Sequence, residues 1–236
     1  MISNIAFIGG VVETPVYFDN DILNIDLLIL RKDLNKVERL TVITNNNEAI
    51  AKAVREINEG DYFLTTNAHI MTKTYLRTKE LECSECYNTE YKKVKSERTE
   101  VIFNDFSILK FEGDMPEGIN KVFLEGNVCS DLNYRDKDGK SYCKYKLAVN
   151  QKVFDTKAEY PYIVTFGKDA ELSKTYLKKN SRVFIEGSIQ QRDIRQSEPF
   201  RCDACGVEAV KKIPNIVREI ITSNVLFLDK DKSDDK

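Results

Sequence analysis

The chain repeats itself, and that repeat constrains its fold more than composition does. Phe7-Ile8-Gly9-Gly10-Val11-Val12 returns 116 positions later as Phe123-Leu124-Glu125-Gly126-Asn127-Val128, with one glycine and one valine kept in place. Leu64 to Ile70 returns as Val183 to Ile189, and Cys83/Cys86 as Cys202/Cys205, both at a shift of 119. Each half then closes on one more apolar run, Val101 to Leu109 and Ile220 to Leu228. Two copies in 236 residues give each about 110, enough to bury its own core. The expected division is a first domain at 1–112, a linker at 113–119 with the turn chemistry of Asp114-Met115-Pro116-Glu117-Gly118, a second domain at 120–229 and a charged tail at 230–236.

Periodicity sets the order of elements. In the second copy, strands are expected near 121–130, 143–150, 160–166 and 182–194, and only Lys168 to Asn180 has a helical pattern, with Ala170, Leu172, Tyr176 and Leu177 as its apolar positions. The matching helix of the first copy carries Ile50, Ala53, Val54 and Ile57, and Gly60 follows as a stop. Five strands with one helix between the third and fourth is the order of the OB barrel. The expected fold is therefore all-β: tandem five-stranded Greek-key OB barrels, each with one short helix and an extended hairpin between strands four and five.

The second half resembles bacterial single-stranded DNA-binding proteins. The resemblance rests on Asn120 to Gly126, Leu147-Ala148-Val149-Asn150, Phe166-Gly167-Lys168-Asp169-Ala170-Glu171, and Tyr176 to Ser181 followed by Val183 to Gln190. Several motifs in order over roughly 75 residues are more specific than any one short pattern. The first half has the same layout with weaker motifs. The resemblance implies sequence-independent binding and protection of single-stranded DNA in replication, recombination or transfer, without enzymatic activity. It also implies oligomers of four barrels, which two barrels per chain reach as a homodimer. The alternative is an assembly factor of a primosome or conjugation complex, acting through protein contacts.

Strand three of the second half alternates Tyr160, Tyr162 and Phe166 on one face, with Ile163 opposite. Such alternation is usually half of a core, but the resemblance implies a stacking platform here, worth about 1–3 kcal/mol per base. Lys144 and Lys146 on strand two, with Arg192 and Arg195 after strand four, are candidates for phosphates. Phe154 lies in the connection where the family often has a stacking aromatic. In the first half, Arg39 to Thr44 has no aromatic, leaving Tyr75 and Lys73 as candidate contacts. The second domain is thus expected to carry most of the affinity.

The two Cys-x-x-Cys pairs, Cys83/Cys86 and Cys202/Cys205, supply two thiolates each. A structural zinc takes four, so the expectation is one zinc held by both pairs, within a chain or across a dimer, against reduced thiols or a disulfide. Cys129 and Cys143 read as small buried apolar residues. A net charge of −2 is neutral on a nucleic-acid partner, which must then rest on local patches. No apolar run approaches the about 18 residues of a membrane span, and no leader pattern opens the chain, so a cytoplasmic protein is expected. The sole histidine, His69, reads as a packed side chain, and no phosphate-binding glycine loop is present. The sequence stops on Lys230 to Lys236 without the apolar tip that bacterial relatives use to recruit host enzymes, so recruitment by that route is not expected. That departure fits a phage, plasmid or other mobile element.

Overall fold

A computed structural model describes residues 4–32, 35–150 and 158–228. Its first half runs β1 (Asn4–Val12), β2 (Tyr17–Asp19), β3 (Ile22–Arg31), β4 (Lys36–Thr44), α1 (Asn47–Glu56), β5 (Tyr62–Glu82) and β6 (Thr89–Leu109). The second half runs β7 (Ile119–Val128), β8 (Asn133–Lys137), β9 (Lys140–Asn150), β10 (Ala158–Glu159), β11 (Tyr162–Phe166), α2 (Gly167–Tyr176), β12 (Arg182–Arg201) and β13 (Glu208–Phe227).

Each half closes a five-stranded ring. Strands pair in the order β1, β5, β6, β4, β3 and back to β1, with β4 and β6 parallel. The second ring is β7, β12, β13, β11, β9 and back to β7, with β11 and β13 parallel. Alternation makes the interiors: Leu23, Ile25, Leu27 and Ile29 fill one barrel from β3, and Cys143, Tyr145, Leu147 and Val149 fill the other from β9. The repeated glycine explains itself here. A Cβ on Gly10 or on Gly126 would collide with the carbonyl of Leu28 or of Ala148, the strand that closes each ring.

Helix α2 is shorter than periodicity implied, ending at Tyr176 rather than Asn180. The side chain of Asn46 caps α1 by accepting from the Ala49 N–H at 3.0 Å, and Ala49, Ala53 and Ile57 form the buried stripe. Ala53 and Ile57 are shared with the expected stripe, but Val54 points to solvent and Ala49 is buried instead. In α2 the buried positions are Ala170 and Ser173, with Leu177 just beyond its end and Tyr176 exposed.

The connection between strands four and five is continuous sheet. The ladder from Tyr62↔Leu109 reaches Glu82↔Thr89, and that from Val183↔Phe227 reaches Arg201↔Glu208, so two long arms leave the barrels. Their ends pack on each other through Leu81, Val94, Phe200 and Ile213, a core separate from that of the barrels. The barrels themselves meet edge to edge. β1 and β7 pair antiparallel from Asn4↔Leu124 to Gly9↔Ile119, relating the halves by an approximate twofold.

Candidate functional site

The outward faces of β9 and β11 carry the candidate site. Tyr142, Lys144 and Lys146 alternate with the core residues of β9, and cross-strand register sets Phe166 opposite Tyr142 and Tyr162 opposite Lys146. Phe166 is 55% exposed, and its ring centroid lies 5.6 Å from that of Tyr142. Tyr160, 48% exposed, precedes β11. Tyr162 is half-buried, with the ammonium groups of Lys144 and Lys146 at 4.0 and 4.6 Å from its ring centroid. Its ring therefore holds two cations at the surface, while Tyr160, Tyr142 and Phe166 leave apolar area open.

Two grooves flank these strands. One, of about 960 Å³, runs between the halves, with Lys73, Lys95 and Arg98 on one wall and Lys144, Lys146, Tyr160 and Tyr162 on the other. A second, of about 490 Å³, is lined by Arg135, Lys137, Lys140, Tyr142, Lys144 and Arg192. Lys144 borders both. Its ammonium meets the Glu219 carboxylate at 2.5 Å, and Arg192 binds the other oxygen of the same group. Lys146 pairs with Glu97 of the first half at 2.6 Å. Burial is the largest single influence on Lys146 and lowers its pKa, but the hydrogen bond it donates to Glu97, with the charges of Glu97 and Tyr162, together hold the ammonium above its usual range.

Of the candidate residues, Tyr160, Tyr162, Lys144, Lys146 and Lys73 thus come together in the inter-half groove, while Arg192 lines the smaller groove. Arg195 does not join them. Ile194 and Gln196 line the inter-half groove, so Arg195, of opposite parity on β12, faces the other way. Tyr75 sits half-buried on the first arm, with the guanidinium groups of Arg77 and Arg98 each 5.9 Å from its ring centroid. Phe154 lies outside the described residues. Sequence reasoning missed Tyr142, although it shares parity with Lys144 and Lys146. It also took Arg135 to Lys140 for a turn alone. Asp138 and Gly139, both at positive φ, do form the tight turn, but the cations on either side belong to the β8–β9 ribbon and the groove.

The first half also anchors the platform. Thr72 on β5 accepts from the Tyr160 N–H at 3.0 Å and donates its hydroxyl to Glu159 at 2.7 Å. His69, nearby on the same strand, is half-buried, and burial pushes its pKa down against the opposing charge of Glu159.

Register shows what the first barrel offers at the same places. Ile163 pairs with Tyr145 and Ile220, and Val42 with Ile25 and Val101, so Asn24, Asp26, Thr41 and Asn45 stand where Lys144, Lys146, Tyr162 and Phe166 stand in the second. At these four places the first barrel carries neither a cation nor a ring.

At the arm tips, Cys83 lies 3.6 Å from Cys205 and Cys86 3.5 Å from Cys202, and all four sulfurs fall within 4.8 Å of one another. Both pairs converge within one chain. The knuckles match. The N–H of Cys83 bonds Asn88 O and that of Tyr87 bonds Cys83 O, as Cys202 does with Val207 and Gly206 with Cys202. Tyr87 and Gly206 take the left-handed conformation that this turn needs. The backbone N–H groups of Cys86 and Glu85 hold the Cys83 thiol down to about 6, against the effect of burial. Tetrahedral zinc about 2.3 Å from each sulfur sets sulfurs about 3.8 Å apart, so this donor set fits the ion. Cys143 is buried in the second barrel and Cys129 is partly buried, neither near the cluster.

Residues 119–209 match the single-strand binding protein family. A curated relative, Single-stranded DNA-binding protein 1 of Chlorobaculum tepidum, is 35% identical over 85 residues, covering 33% of this chain and 52% of the relative. The chain therefore spans about half the length of that relative. Among solved structures, a deletion mutant of the single-stranded DNA binding protein from Thermus aquaticus superposes with a TM-score of 0.65 at 13% identity, covering 99% of this chain and 98% of that one. The wild-type form gives 0.63 at 12%, covering 97% and 94%. At these identities the likeness concerns the fold, and it extends over both barrels and both arms.

Proposed function

We propose, from a second barrel that belongs to the single-strand binding protein family, that this chain binds single-stranded DNA without sequence preference, mainly through its second half. The observation that carries the reading is the open face of β9 and β11, where Tyr160, Tyr142 and Phe166 present rings beside Lys144 and Lys146. Rings accept any base, and lysines accept the backbone that every sequence shares. The first barrel, with Asn24, Asp26, Thr41 and Asn45 at the matching places, contributes through its arm and through Thr72 rather than through a platform of its own. Such binding serves to cover strands exposed in replication, recombination or transfer, including that of a mobile element.

Cys83, Cys86, Cys202 and Cys205 hold a structural zinc that ties the two arms together; their shared distances and paired knuckles support this. Two copies of the chain form a dimer. The support is the outer face over the β1–β7 seam, where Phe7, Phe123 and Phe184 make successive ring contacts and Phe7 and Leu226 are 41% and 49% exposed.

The test is fluorescence-anisotropy titration of labelled poly-dT at low and high salt, with wild type and Tyr160→Ala/Phe166→Ala. Tight, salt-sensitive binding that the double substitution weakens strongly supports the reading. Absence of binding by wild type moves it to a protein-assembly module.

A further inference from the structure

Glu219 and Glu100 stand 119 positions apart, at the same place in the two arms: Gln190 is paired with one and Met71 with the other. Both carboxylates are buried, at 1% and 5% exposure. A carboxylate so placed persists only where cations meet it. The two halves meet that demand differently. Glu100 takes Arg98 at 3.3 Å and also Arg218 from the other half, whose side chain is only 4% exposed, so that charge locks the halves together. Glu219 takes Lys144 on one oxygen and Arg192 on the other, and these cations stay 25% and 51% exposed. Lys144 borders both grooves, and Arg192 lines the smaller.

We infer that Glu219 is a positioning residue for single-strand binding, fixing Lys144 and Arg192 from beneath at the junction of the two grooves. The inference rests on the single-strand reading above. Each cation spends one donor on the carboxylate and keeps others for phosphate. A long side chain ordered beforehand loses less freedom when its ligand arrives. Plain charge counting gives the opposite sign: removing the acid adds one positive charge to the grooves and tightens phosphate binding.

The experiment is anisotropy titration of poly-dT over a salt series with wild type, Glu219→Gln, Lys144→Gln/Arg192→Gln, and the triple variant. Glu219→Gln is expected to bind about three- to tenfold more weakly than wild type, as for one or two side chains left to be ordered on binding. In the background lacking both cations it is expected to cause no further loss of binding. Equal or tighter binding by Glu219→Gln overturns the inference, as does the same loss in both backgrounds, which marks a general structural role. If Glu219→Gln fails to fold by circular dichroism, Glu219→Asp keeps the charge but withdraws it by one methylene. Weaker binding by that variant supports positioning, and unchanged binding overturns it. Absence of binding by wild type rejects the single-strand reading itself and is thereby told apart.

Discussion

The backbone N–H of Tyr160 donates to the hydroxyl of Thr72 at 3.0 Å, across 88 residues of chain. The aromatic that leads into β11 is thus held by a strand of the other half, and the Thr72 hydroxyl in turn donates a hydrogen bond to Glu159. Thr72→Val keeps the shape and removes both bonds. It is expected to destabilise the protein by about 1–2 kcal/mol, since Glu159 is left buried with a lost partner. Poly-dT affinity is expected to fall with it. Thermal melting and anisotropy read the two effects, and unchanged affinity would show that Tyr160 needs no such anchor.

Stacking and charge separate by salt. Phe166→Ala is expected to weaken poly-dT binding by about 1–3 kcal/mol while leaving the slope of log affinity against log salt unchanged. Lys146→Gln is expected to lower that slope by up to about one while costing less affinity at high salt, because its ammonium already shares Glu97. The salt series checks both, and a changed slope in Phe166→Ala would argue against pure stacking.

Metal analysis of freshly purified, reduced protein is expected to find one zinc per chain, and Cys83→Ser to reduce it. The arm-tip core of Leu81, Val94, Phe200 and Ile213 is separate from that of the barrels. Chelation is therefore expected to expose the arms to protease while far-ultraviolet circular dichroism changes little. Loss of the whole fold on chelation would show that the site supports the barrels as well.

Gly126→Ala places a Cβ against the carbonyl of Ala148 where β7 meets β9. Backbone cannot yield as a side-chain tip can, so a loss of about 1–3 kcal/mol is expected in thermal or urea unfolding. Gly139→Ala, at the exposed β8–β9 turn, meets no atom and is strained only by its φ of +73°, so a smaller loss is expected there.

Phe123→Glu puts a charge on the apolar face over the β1–β7 seam, where Phe123 meets Phe7 and Phe184 at 6.2 and 6.4 Å. Light scattering is expected to give a dimer mass for wild type and a monomer mass for the variant. A dimer that survives the charge would locate the interface elsewhere.

The sequence alone carried whatever depends on a short stretch of chain. A period of two puts Lys144 and Lys146 opposite Tyr145 and Leu147 whatever the strand later pairs with, so the faces of β9 and β11 were legible from their own residues. The repeat likewise announced two barrels, because a glycine that must admit a crossing carbonyl is needed at Gly10 and again at Gly126. Helix edges were less legible, since one misplaced apolar residue, Val54, shifts the apparent stripe of a ten-residue helix.

What only the tertiary structure decided are the meetings between distant segments. The β1–β7 ladder is made of backbone hydrogen bonds, which leave no mark on side-chain identity. The convergence of Cys83 with Cys205 and the grip of Glu219 on Lys144 and Arg192 follow from how far two long hairpins extend and in which register. Those quantities are set by closure of the whole ring, because a strand's register is fixed by every neighbour it must satisfy at once.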